Sequence, residues 1–238
     1  MRILAIADPH LSRKTPKPMT IFGPGWAGHP DVFFQRWCET VQPDDLVLIP
    51  GDISWAMHFR DALLDLQDIA DLPGIKVISR GNHDYWWPAI TRLRAELPAG
   101  IYALQNDAIR FDDTVICGTR GWVTPGTEGF KPEDEKIYLR EVERLRLTLE
   151  AARKLEGKQV LVMLHYPLTN AAFEPNGFTR LIEEYRPAGV VYGHLHGVNQ
   201  DKLIRHWCGI PLHFVAADAL KFVPRVLGKT EASADSAL

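Results

Sequence analysis

Short, nearly uninterrupted apolar runs alternate along this chain with longer segments of helical period. The runs fall at residues 2–7, 46–49, 76–79, 114–117, 159–164 and 189–192, and continuous apolarity over so few residues is what a strand covered on both faces requires. Between them, residues 31–40, 59–70 and 87–96 carry the mixed composition of helices packed on one side. The longest helix is predicted over residues 132–155. Pro132 suits a first helical position, Glu133, Asp134 and Glu135 complement the positive end of the helix dipole, and Gly157 can close the far end. Tyr138, Val142, Leu145, Leu149 and Ala152 recur at helical spacing and read as ordinary core packing. Strands alternating with helices predict an α/β architecture.

Residues 101–104, 109–111 and 114–117 read as a short antiparallel meander, the last two joined across Asp112-Asp113. Short strands return over 202–226, and the small polar residues from Gly228 to Leu238 predict a frayed tail. No repeat, low-complexity tract or linker divides the chain, so residues 1–227 are expected to form a single domain followed by that tail. At 238 residues, 46% of them apolar and 24% charged, the composition excludes the disordered and membrane-spanning classes. The N-terminal run meets Asp8 too early for a signal-peptide core, and a cytoplasmic location is expected. A net charge of −3 offers no electrostatic footprint for a nucleic-acid backbone. Cys38, Cys117 and Cys208 stand far apart in no redox or metal-binding spacing, and are expected to be free, mostly buried thiols.

Five of the apolar runs are followed at once by a residue able to hold a metal ion. Residues 2–7 lead to Asp8 and His10, 46–50 to Gly51-Asp52, and 76–80 to Gly81-Asn82-His83-Asp84. Residues 159–164 lead to His165, and 189–192 to Gly193-His194-Leu195-His196. Ligands of open α/β sheets bind beyond the carboxyl ends of the strands, so these remote residues are expected to converge. Gly51, Gly81 and Gly193 each stand before a candidate ligand, where a Cβ would obstruct a sharp turn. Each motif alone is commonplace, and His29, His58, His206 and His213 are read as ordinary core or surface histidines; five motifs in one positional pattern are not commonplace. Asp8, His10, Asp52, Asn82, His165, His194 and His196 are seven candidates, more than a single catalytic ion uses when it keeps a position open for water. Two adjacent ions would use them economically, and Asp52, with two carboxylate oxygens, is the natural bridge. A nitrogen-and-oxygen donor set without thiolate suits two divalent or trivalent transition-metal ions, Mn, Fe, Zn, Co or Ni.

Taken together, Asp8-x-His10, Gly51-Asp52, Gly81-Asn82-His83-Asp84, His165 and Gly193-His194-x-His196 resemble the motif set of the calcineurin-like metallophosphoesterase superfamily, in the family's order from residue 8 to residue 196. Pro9 and the Leu11-Ser12 pair depart from many relatives without removing a ligand. The resemblance implies a four-layer αββα sandwich, two mixed β-sheets flanked by helices, with the metal site at the C-terminal ends of the strands. It implies that Asp8, His10 and His196 hold one ion, that Asn82, His165 and His194 hold the other, and that Asp52 bridges them. The expected activity is hydrolysis of a small-molecule phosphate ester, monoester or diester, by in-line attack of a metal-bridging hydroxide.

On that reading His83 is the general acid for the leaving group, with Asp84 orienting its ring and keeping it protonated. Arg120, in Gly118-Thr119-Arg120-Gly121-Trp122 just after a strand, is placed to grip phosphate oxygens with its planar fork. Arg80 is expected to turn away into a structural ion pair. Residues 12–30 hold four prolines and are too long and irregular for a simple connector, so Phe22, Trp26 and His29 are candidates for a wall beside the metals. Trp26, Trp55 and Trp122 are the candidate substrate contacts, while Trp86 and Trp87 also follow a motif strand. Plain aromatic packing beneath loops is the competing reading for the tryptophans. A metal-stabilised interaction scaffold on the same fold is the rival function, and the retention of His83 beside every ligand argues against it.

Overall fold

The computed structural model describes residues 1–14 and 16–230. Its first sheet is built from four parallel strands, β1 (Arg2–Ala5), β2 (Leu46–Pro50), β3 (Ile75–Ser79) and β4 (Ile101–Leu104), with β11 (Arg225–Lys229) antiparallel on the outer side of β1. In the second sheet β6 (Thr114–Thr119), β7 (Gln159–Leu164), β8 (Gly189–Tyr192) and β10 (Ile210–Phe214) run parallel. Its two edges are the antiparallel strands β5 (Ala108–Phe111) and β9 (His206–Trp207). The helices are α1 (Asp31–Thr40), α2 (Phe59–Ala70), α3 (Ile90–Glu96), α4 (Pro132–Arg153) and α5 (Gly177–Tyr185).

Period-two alternation along the strands sorts their side chains into three cores. Leu4, Val47, Ile49 and Ile78 turn toward α1, α2 and α3 and meet Phe33, Trp37, Leu66 and Leu93. Ile3, Ala5, Leu46, Leu48 and Val77 turn the other way and meet Ile116, Leu161, Met163 and Val191 of the second sheet. The opposite face of that sheet, with Val115, Val162, Leu164 and Val190, packs on Leu145 and Leu149 of α4 and on Phe178 and Ile182 of α5. The order of layers is therefore helix, sheet, sheet, helix, the expected α/β sandwich. Each large aliphatic side chain so buried contributes about 1.5–3 kcal/mol, and every central strand is needed by both of its faces. This explains why the strand sequences show no polar alternation.

Several local expectations change. Residues 101–117 are not one meander: β4 joins β3 in the first sheet, in parallel, and only β5 and β6 form a hairpin, in the second. A short apolar run is equally suited to either pairing, and what separates them is the turn after Leu104. There Asp107 accepts the Gln105 N–H (2.9 Å) and pairs with Arg94. Helix α3 begins at Ile90 because Ala89, after Pro88, is extended; Trp86 and Trp87 are instead buried in the first core. Helix α5 falls where the hydrophobic pattern predicts no helix, and Asn176 caps it by accepting the N–H groups of Phe178 and Thr179. Gly228 and Lys229 belong to β11, paired with Ile3 and Arg2, so the strand outruns the expected start of the tail; residues 231–238 lie outside the described residues. Among the described residues no helix is long and apolar enough to cross a membrane.

All three cysteines are free, but only Cys117 is buried, whereas Cys38 and Cys208 are exposed, which corrects the expectation of mostly buried thiols. Burial pushes the Cys117 thiol up to about 12. Iodoacetamide applied to the folded protein at pH 8 is therefore expected to label Cys38 and Cys208 and spare Cys117, as read by peptide mass spectrometry. Labelling of Cys117 without denaturant would contradict the packing of β6 under α4.

Candidate metal centre

The loops leaving β1, β2 and β8 are bent into an unusual backbone conformation. Asp8, His10, Asp52 and His194 have φ of 59°, 48°, 53° and 72°, in the left-handed region that side chains other than glycine seldom occupy. Hydrogen bonds between the loops hold that strain. The N–H of Asp8 donates to Gly51 O (3.1 Å) and that of His10 to Asp52 O (3.0 Å). The Asp8 carboxylate accepts the N–H of His194 (3.0 Å), and Asp52 Oδ1 accepts that of His83 (2.8 Å). Two glycines permit this closeness. A Cβ on Gly81 would overlap the Asp52 carboxylate, and one on Gly193 would overlap that of Asp8.

The loops bring candidate ligand atoms face to face. His165 Nε2 lies 2.7 Å from Asn82 Oδ1, and His194 Nδ1 lies 2.9 Å from the same oxygen and 3.2 Å from His165 Nε2. His10 Nε2 lies 3.4 Å from His196 Nε2. Asp52 Oδ2 sits between the two groups, 3.4 Å from His165 Nε2 and 3.7 Å from His10 Nε2. Asp8, His10 and His196 can each turn one donor atom to a common point, as can Asp8, Asp52 and His165. The tautomers follow from the outer partners. His165 Nδ1 is 3.0 Å from Pro50 O and must donate to it, and His196 Nδ1 must likewise donate to Asp218 Oδ1 at 3.0 Å. In both rings Nε2 is thereby turned inward.

Such crowding of lone pairs is unfavourable unless protons or cations lie between them. Asp8 Oδ1 and His10 Nδ1 are buried with no hydrogen-bond partner. Burial, reinforced by the charge of Asp52, pushes Asp8 up to about 7. Burial opposes charge on His165, but Asp52 and Asp8 lift it to about 9, and the extra proton lies on Nε2 against Asn82 and Asp52. Burial and the neighbouring His165 push His194 down to about 3. The donor set therefore fits borderline metal cations, which would replace that proton and relieve the facing acceptors.

Asp84 does not orient His83. Its fully buried carboxylate accepts the N–H groups of Asp52 (2.9 Å), Ile53 (2.9 Å), Ser54 (3.2 Å) and Gly81 (2.7 Å) and the Trp86 indole (2.9 Å). Burial and the charge of Asp52 push it up to about 6, so it stays charged at neutral pH and ties the loop after β2 to the loop after β3. His83 is half-buried, with its ring 4.5 Å from that of Trp55, and burial lowers its proton affinity. Sequence reasoning missed Asp218, which orients His196 from four residues past the end of β10. An acid following an apolar run was the available signal.

Trp26 is 1% exposed and sets its edge against His10 (5.8 Å) and His196 (5.4 Å), so it supports the rings of two candidate ligands and is closed to a substrate. Trp55 stacks on His10 at 4.7 Å with Lys17 Nζ 3.3 Å over its own ring. His29 bonds to Pro9 O (2.6 Å), and Phe22 stacks on Trp55 (6.3 Å). Trp122 lines a cavity of about 520 Å³ beside His194, together with Tyr166, Phe173, Leu195, Leu203 and Ile204. The Arg120 guanidinium lies 4.4 Å over Trp122 and 3.8 Å from Glu141, and none of the seven candidate ligands is its partner. Only its carbonyl meets the centre, accepting the N–H of His165 (2.9 Å). Arg80 has no ion pair among the described residues; its Nε donates to Asp84 O (3.2 Å).

An αββα sandwich that gathers aspartate and histidine donors beyond the ends of its parallel strands defines a class of metal-centre proteins. The sequence profile of that class matches here over residues 1–198, and the chain belongs to the calcineurin-like phosphoesterase family. Solved structures share the fold at low identity. A protein of unknown function from Aquifex aeolicus, AQ665, is 17% identical over 94% of this chain and 95% of its own, with a TM-score of 0.52. Phosphopantetheinyl hydrolase (PptH) from Mycobacterium tuberculosis is 14% identical over 95% of each chain, with a TM-score of 0.58. TT1561 of Thermus thermophilus is 13% identical over 89% of this chain and 87% of its own, with a TM-score of 0.55. No curated protein matches the sequence.

If Asp218 orients His196 as a ligand, Asp218→Asn should weaken metal binding about 10–100-fold, the usual effect of removing an orienting carboxylate. Competition with a chromophoric chelator measures this, and unchanged affinity would remove Asp218 from the centre.

Proposed function

We propose that this protein is a two-metal hydrolase of phosphate esters, with Asp8, His10 and His196 around one ion, Asn82, His165 and His194 around the other, and Asp52 between them. The observation that carries the reading is the convergence of histidine ring nitrogens on both sides of Asp52 Oδ2. Transition ions of the Mn, Fe, Zn, Co and Ni group suit this donor set. Two adjacent cations there would neutralise phosphoryl charge and lower the pKa of bound water.

The chain's own residues do the rest. Pro50 O and Asp218 fix the rings of His165 and His196, and the hub of Asp84 fixes the spacing of Asp52 from Gly81 and Asn82. His83 is held by its N–H bond to Asp52 and by packing on Trp55, without a carboxylate behind its ring. It is the group placed to give a proton to the departing ester oxygen. The cavity beside His194 is walled by Trp122, Tyr166 and Phe173, and it would take the apolar part of a small-molecule ester.

Reconstitution with each of these metals, assayed on p-nitrophenyl phosphate and bis-p-nitrophenyl phosphate, is expected to give turnover of at least one ester and none in Asp52→Asn. In His83→Ala an alkyl ester should slow by about 10²–10⁴-fold, the usual contribution of a general acid, while a nitrophenyl ester, whose leaving group needs no proton, should slow far less. Equal losses on both would take the acid role from His83. Inactivity with every ion would defeat the reading as a whole.

A further inference from the structure

A second cavity, of about 320 Å³, opens where β3, β4 and β6 end, with their last residues Ser79, Leu104 and Thr119 in its wall and α4 along its side. Arg80, Arg120, Arg140 and Arg144 line it, and Glu141 is the one carboxylate among the lining residues. That carboxylate is already engaged. Thr119 Oγ1 donates to it, Arg144 Nη1 is 2.6 Å away and Arg120 Nη2 is 3.8 Å away. Arg80 and Arg140 have no carboxylate partner among the described residues, and the buried Nε of Arg120, whose side chain is 17% exposed, has no hydrogen-bond partner. The whole chain carries a net charge of −3, so this concentration of cations is not a consequence of general basicity. Guanidinium groups crowded in this way repel one another, and the buried Nε of Arg120 is a charged donor without an acceptor.

We propose that this cavity is a binding site for a multiply charged phosphate anion of the pyrophosphate class. Planar guanidinium forks match pairs of phosphoryl oxygens, and several forks converging on one space distinguish a polyanion from a single carboxylate. The volume falls within the ~300–1,000 Å³ of small-ligand sites. Two strands connect it directly to the centre described above. Arg80 precedes Gly81-Asn82 and holds the Asp84 carbonyl at 3.2 Å, while the Arg120 carbonyl accepts the N–H groups of His165 (2.9 Å) and Tyr166 (3.1 Å). The anion is either a free effector or a second phosphate of the substrate, and the chemistry that recognises it is the same.

Inorganic pyrophosphate titrated calorimetrically into the full chain in excess chelator tests the site without turnover. One saturable site is expected in the unaltered protein and in Asp52→Asn. Arg140 is exposed and has no ion-pair partner among the described residues, so its substitution spares the fold, which circular dichroism verifies. Arg140→Ala should bind about tenfold more weakly, the scale of one charge-assisted hydrogen bond, and Arg140→Glu should not bind measurably. Absence of saturable binding, or equal binding by Arg140→Glu, would overturn the proposal. With the metal-loaded protein, a KM raised by Arg140→Glu only for esters carrying a second phosphate identifies the substrate as the source. A pyrophosphate effect on the rate of a monophosphate ester, lost in Arg140→Glu, identifies a free effector. Inactivity toward all esters would defeat the proposed hydrolysis and leave the calorimetric result standing.

Discussion

The arrangement of lone pairs around Asp52 is the constraint on which the rest of this structure depends. Ring nitrogens and side-chain oxygens from five separate strand ends point into one small volume, and Asp8 Oδ1 and His10 Nδ1 are buried there with no hydrogen-bond partner. Four of the residues involved accept left-handed backbone angles, and two glycines give up any side chain so that carboxylates can approach the main chain. A sandwich whose strands are buried on both faces supplies the rigidity to hold that strain. The proposed metal ions would convert the same crowding from a burden into the source of binding energy.

Carboxylates behind the rings and loops divide the labour. Asp52 faces the centre, Asp84 binds four backbone N–H groups and an indole, and Asp218 turns His196. The surroundings of the centre are chemically lopsided. One flank is apolar and aromatic, from Trp122 to Ile204, and the other carries four arginines between the strand ends and α4. Arg120 stands at the boundary, its guanidinium over Trp122 and beside Glu141.

Much of this was legible in the chain itself, for a physical reason. A doubly covered strand must be continuously apolar, so β7 and β8 could be delimited residue by residue, and the first polar residue after such a strand marks its carboxyl end. Convergence of Asp8, Asp52, His165 and His196 followed from that position rule and from the family's motif order. Interactions that depend on direction were not legible. Asp84 adjoins His83 in sequence, yet its oxygens turn to the backbone of a neighbouring loop, and Trp26 lies under His10 instead of facing solvent. By its sequence β4 could pair with either sheet, and the turn at Asp107 decides between them; Arg80 reads as an ion-pair residue, yet it lines a cavity with three other arginines and bonds to a backbone carbonyl.

The most direct test of the central claim is anomalous X-ray diffraction from crystals of the full chain equilibrated with manganese. Two peaks about 3.5–4 Å apart, with one Asp52 oxygen within bonding distance of both, are the predicted result. A single peak, or two peaks that Asp52 does not join, would contradict it.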